Sequence, residues 1–131
     1  MRIDQKLLDT LTKQAKVSPR LRMNYDLRNN ENDLSQRMLN AIEPGTIVPV
    51  HRHQKSSETI VVLRGHAVEI IFDDLGHMVN ETYDLYPNGE CVAVNVPAGQ
   101  WHTIQSFESG TVILEVKDGP YEPTNPVDVL Y

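Results

Sequence analysis

The most constraining stretch of this sequence lies between two glycines, Gly45 and Gly65, and holds His51, His53 and Glu58. In an extended chain successive side chains point to opposite faces, so His51 and His53 share a face while Arg52 takes the other. Residues 54–57 are polar and short enough for a hairpin loop, and the β-branched run 59–63 reads as the returning strand. Closing that hairpin sets Glu58 opposite His53. Buried together, two imidazoles and a carboxylate are costly unless paired. A further histidine, His102, follows the turn at Pro97, Ala98 and Gly99. Three nitrogens and one carboxylate oxygen suit one divalent transition ion (Fe, Mn, Ni, Co or Zn), with positions left for water or substrate.

Around this stretch the chain reads as many short strands. Asp4 can cap a helix over residues 3–17, whose apolar Leu7, Leu8, Leu11 and Ala15 recur with a 3.6-residue period. Ser18-Pro19 stops it, because the residue before proline avoids helical geometry. Residues 20–28 alternate: Leu21, Met23, Tyr25 and Leu27 take one face, and Arg20, Arg22, Asn24, Asp26 and Arg28 the other. Further strands are expected over 36–42, 67–72, 77–85, 91–96, 102–106 and 111–117, separated by glycine, proline and aspartate turns. Residues 118–131 carry Pro120, Pro123 and Pro126 and are expected to wrap the surface without regular structure. The pattern is all-β, a sandwich or closed barrel over residues 20–117 within a single domain spanning 1–131.

Charge excludes one class of function. The net charge of −6 does not supply the cationic footprint of a nucleic-acid binder. It is unevenly spread, with eight of the twelve Lys and Arg before residue 38. The basic start is expected to pack against the acidic body; the alternative is that some of those arginines hold an anionic small-molecule substrate. No apolar run is long enough to span a bilayer, the start lacks a secretory pattern, and the single Cys91 fits a reducing cytoplasm. No membrane partner is expected. Cys91 reads as an inert core residue, and His66 and His77 as surface residues.

The spacing of Gly45, His51, His53, Glu58 and Gly65 resembles the first signature motif of the cupin superfamily. Pro97, Gly99 and His102 resemble the second, although Gly89 lies further ahead of Pro97 than that pattern has it, and Ser106 stands where asparagine is usual. The resemblance implies a single jelly-roll barrel, a metal held by His51, His53, Glu58 and His102, and a homodimer. Residues 18–28, 36–46 and 51–58 further resemble the WbuC-type cupin metalloproteins, over a likeness running from Lys6 to Lys117. Members of that family are encoded near O-antigen and other bacterial polysaccharide genes, which implies a part in sugar or nucleotide-sugar metabolism.

The expected function is therefore a small metal-dependent enzyme that isomerises or epimerises a sugar or nucleotide-sugar. The ion would polarise a carbonyl, and Tyr25 or a bound hydroxide would take the neighbouring proton, with Glu58 completing the catalytic set. Arg22, Asn24, Gln36, Arg37 and Asn40 are the substrate-binding candidates, arginine because its planar fork grips two oxygens at once. Alternation puts Arg37 and Asn40 on opposite faces, so only one of them should point inward. The alternatives are an Fe(II)-dependent dioxygenase and a non-catalytic sugar-binding or regulatory module.

Overall fold

The computed structural model describes residues 1–130; Tyr131, the end of the expected tail, lies outside them. Asp4 caps helix α1 (Gln5–Val17) by accepting a 3.0 Å hydrogen bond from the Leu7 amide. Eight strands follow: β1 (Arg22–Asp26), β2 (Ser35–Ile42), β3 (Glu58–Arg64), β4 (Ala67–Phe72), β5 (Val79–Leu85), β6 (Ala93–Val96), β7 (His102–Ser106) and β8 (Val112–Asp118). They form two antiparallel sheets, ordered β1-β2-β8-β3-β6 and β5-β4-β7. The class is the expected jelly roll. Its sheets face one another and remain separate, without closing into a continuous barrel.

The pleat of the larger sheet divides the molecule's labour. Leu39, Ala41 and Val112 leave its outer face and meet Leu8, Leu11 and Ala15 of α1, with Met23, Leu27, Leu63 and Leu114 around them. Ile42, Ile60, Val62 and Ile113 leave the inner face and pack on Ala67, Leu85 and Ile104. Cys91 packs against this inner core, as its apolar neighbours suggested. Gly65, at the bend from β3 to β4, has φ +88°, and a Cβ there would lie 2.3 Å from Thr111 Oγ1. Only glycine fits both the left-handed backbone and the close approach.

Two local expectations need correction. Residues 51–53 do not fold back on β3, whose two neighbours are β6 and β8. His51 instead bridges β7, exchanging backbone hydrogen bonds of 3.0 and 2.9 Å with His102. The tail is also partly regular. Asn125 caps a 3-10 turn, Pro126–Asp128, where proline costs no hydrogen bond, and Val129 bridges His51. A 2.6 Å bond from the Leu130 amide to the Val50 carbonyl ties the tail beside the histidines.

Candidate metal centre

Three separate parts of the fold supply the four candidate ligands. Glu58 opens β3 in the larger sheet, His102 opens β7 in the smaller one, and His51 and His53 lie on the segment that crosses between them. One potential ligand atom from each lies within 4.8 Å of all the others. His53 Nε2 and His102 Nε2 stand 3.4 and 3.6 Å from Glu58 Oε2. These three atoms are buried and have no hydrogen-bond partner among the described residues. Two imidazole nitrogens and a carboxylate oxygen directed at one point, and otherwise unsatisfied, are what a divalent cation would satisfy. The residues present fit such an ion.

Neighbouring groups aim the imidazoles. His51 Nδ1 donates to the Pro49 carbonyl at 2.8 Å, which leaves Nε2 to face the cluster. His102 Nδ1 is bonded to Glu69 Oε1, a carboxyl that is 0% exposed in β4. The strand register explains the contact: Ile71 pairs with His102, so Glu69, two residues back, lies on the same face of the sheet. With its proton on Nδ1, His102 turns the Nε2 lone pair toward the point that His53 and Glu58 also face.

The electrostatics favour a ligand-ready state. Burial lowers the His51 pKa to about 4, helped by nearby His102, and burial likewise lowers His102. Both imidazoles are neutral at physiological pH. Burial alone would raise Glu58, but the neighbouring His53 imidazole, 3.4 Å away, and the positive charge of Lys117 outweigh it and hold the carboxyl below its usual range. Neutral imidazoles beside an ionised carboxylate are the protonation states a cation needs. Burial, then the Glu58 charge, pushes both Glu69 and Glu115 up.

A cavity of about 210 Å³ opens over this cluster, and Arg20, Arg22, Asn24, Asn40, Glu115 and Lys117 line it beside the four histidine and glutamate ligands. Of the expected substrate residues it therefore gathers Arg22, Asn24 and Asn40. Gln36 lies on an adjoining groove of about 500 Å³, its amide donating to the Gly119 and Pro120 carbonyls at 3.1 and 3.2 Å. Arg37 takes the outer face, bonded to the Ser35 and Leu27 carbonyls and Asp33. Of the pair Arg37 and Asn40, Asn40 is the inward one. Tyr25 must be corrected. It pairs with Leu39 on the outer face, and its hydroxyl lies 4.0 Å from Met1 Sδ. A base role does not fit that position, because alternation that sends Arg22 and Asn24 inward sends Tyr25 outward.

Sequence reasoning missed Glu69, Glu115 and Lys117. Glu69 is the lone charge in an otherwise apolar strand, and Glu115 and Lys117 interrupt the apolar run of β8. It also missed the clasp on the tail, where Arg52 and Gln54 reach Asp128 at 2.8 and 2.7 Å while Arg52 stacks 4.5 Å over the Trp101 ring. His66, expected at the surface, is engaged there, 2.7 Å from Asp84 and stacked on Tyr86 with ring centroids 4.1 Å apart.

Solved structures share this fold at low sequence identity. The chain is similar to the capsular polysaccharide assembling protein CapF, known from Staphylococcus aureus: with CapF bound to 3-isopropenyl-tropolone the TM-score is 0.69 at 20% identity, covering 88% of this chain. That match spans 33% of CapF, so the chain corresponds to about a third of its length. A cupin 2 domain-containing protein from Halorhodospira halophila aligns with TM-score 0.61 and 18% identity, over 79% of this chain and 68% of that one. Oxalate oxidase bound to the substrate analogue glycolate aligns with TM-score 0.63 and 16% identity, over 82% and 55%. These likenesses establish the cupin fold. No curated protein matches by sequence. The family model described as "Domain of unknown function (DUF6016)" matches residues 3–84, and the chain belongs to that family.

Proposed function

We propose that this protein is a metal-dependent cupin enzyme that isomerises or epimerises a sugar or nucleotide-sugar in bacterial polysaccharide metabolism. The observation that carries the reading is the convergence of His53 Nε2, His102 Nε2 and Glu58 Oε2, unsatisfied and buried, at the floor of a cavity walled by Arg22, Asn24, Asn40 and Lys117. A structural cluster would have no use for a polar cavity above it. CapF, described as a capsular polysaccharide assembling protein, supports the metabolic setting. The WbuC-type resemblance points the same way.

A bound divalent ion would supply Lewis-acid polarisation of a substrate carbonyl or hydroxyl. The protein's own residues do the rest. His51, His53, Glu58 and His102 hold the ion; Glu69 and the Pro49 carbonyl fix the imidazole tautomers. Arg22, Asn24 and Asn40 orient the ligand, and Gln36 belongs to the groove beyond. With Tyr25 outside, Glu69, Glu115 and Lys117 border the cavity beside the ion-holding residues; Glu69 is taken up by His102, and the transferred proton is assigned to Glu115 and Lys117. The test is turnover: metal-loaded protein is incubated with a panel of sugars and nucleotide-sugars, and proton exchange at the epimerisable carbons is followed by NMR in deuterated water. Exchange in wild type that is lost in Glu58→Gln is the expected result. No exchange on any substrate, with oxygen consumed under iron and not zinc, would replace this reading with oxygen chemistry.

A further inference from the structure

We infer that Arg22 is the recognition group for a carboxylate on the ligand, so that the substrate is a polyhydroxy or sugar acid gripped at its other end by the metal centre. The inference deepens the proposed function and rests on its metal site. Its starting point is a contrast among arginines. Arg28 pairs with Asp26 at 2.9 Å, Arg52 with Asp128 at 2.8 Å and Arg64 with Asp9 at 2.7 Å, while Arg37 is held by two carbonyls and Asp33. Arg22 has no such partner. Its Nε is buried and makes no hydrogen bond among the described residues, although the side chain lines the cavity above the metal ligands. Glu115 lines the same cavity and forms no ion pair with Arg22 among the described residues. A buried guanidinium N–H is costly unless it is met, and the Arg22 fork matches a carboxylate.

The second observation is independent. Asn40 Oδ1, on the neighbouring strand, is also buried without a partner and lines the same cavity. An unmet amide oxygen needs a donor, which a ligand hydroxyl provides and a carboxylate does not. Outside the metal ligands and Glu69, these are the unsatisfied buried side-chain atoms of the described residues. The cavity thus asks for an oxyanion at Arg22, a hydroxyl at Asn40 and oxygen donors at the cation. Arg20 and Lys117 on the same wall reinforce the anion preference. A volume of about 210 Å³ is smaller than the roughly 300–1,000 Å³ typical of drug-sized ligands. It takes a small acid and leaves any larger substituent in the adjoining groove, which shares His53, Lys117 and Thr124 with it.

The experiment uses the full chain loaded with cobalt(II), its metal content measured first, and compares D-glucuronate, D-gluconate, D-glucose and D-glucose 6-phosphate by calorimetry. Glucuronate or gluconate should bind at least about tenfold more tightly than glucose, the worth of one charge-assisted contact. Arg22→Gln should remove that preference while cobalt stoichiometry stays at the wild-type level. Arg22→Lys, which keeps the charge and loses the fork, should retain part of it. Equal binding of acids and glucose by cobalt-loaded wild type would overturn the inference, even if neither variant folds. So would a preference that survives Arg22→Gln, or tight binding confined to the phosphate ester. A protein that takes up no cobalt would overturn the metal site itself, a failure distinct from cobalt bound without acid preference.

Discussion

The two faces of the larger sheet are built from the same strands and obey different rules. On the outer face, β2 offers Leu39 and Ala41, β8 offers Val112 and Leu114, and α1 covers them with leucines. On the inner face those strands offer Asn40, Glu115 and Lys117, interleaved with Ile42 and Ile113. Beneath α1 the outer face packs apolar side chains alone into its core. The inner face carries a core at one end and unsatisfied polar atoms at the other, a cost that pays its way only if a ligand meets those atoms. Adjacent residues therefore answer to different demands: Leu39 to packing, Asn40 to chemistry.

The largest test of that division is Leu39→Ala. Leu39 is 0% exposed, so truncation should destabilise by about 2–5 kcal/mol in chemical denaturation. Metal bound per folded molecule should not change. A fall in stoichiometry at full folding would mean the faces are not separable. Next comes Glu69→Gln, which weakens the group that orients His102 without opening a cavity. Metal affinity, measured by chelator competition, should drop about 10–100-fold. An unchanged affinity would make Glu69 a mere core residue. The smallest effect belongs to Tyr25→Phe, which removes an outer-face hydroxyl whose contact is Met1 Sδ. Stability should stay within about 0.5 kcal/mol, and metal content and turnover should not move. Lost turnover there would return Tyr25 to the mechanism.

Much of the fold was legible because it follows from local rules. The Asp4 cap, the alternation of β1 and the turn glycines each act within a few residues, and α1 and the strands sit within a few residues of their expected bounds. The grouping of His51, His53, Glu58 and His102 was legible from spacing and donor chemistry. What failed was non-local. A short polar loop at 54–57 argues for a hairpin, yet both edges of β3 are occupied by β6 and β8, so residues 51–53 join β7 across the sandwich. Glu69 was hidden for the same reason, since its partner His102 lies 33 positions away. The Tyr25 error was avoidable. Pleating forbids Asn24 and Tyr25 from sharing a site, and Met23 and Leu27 already marked Tyr25's face as the one that packs under the helix.

In the proposed function four side chains from three parts of the fold hold one cation. Elemental analysis of protein purified without added metal, wild type beside His53→Ala, tests it most directly. Close to one divalent transition ion per chain is expected in wild type and loss of most of it in the variant, with both proteins folded. Equal stoichiometry in the two, or a wild type that takes up no metal even when it is offered, would contradict it.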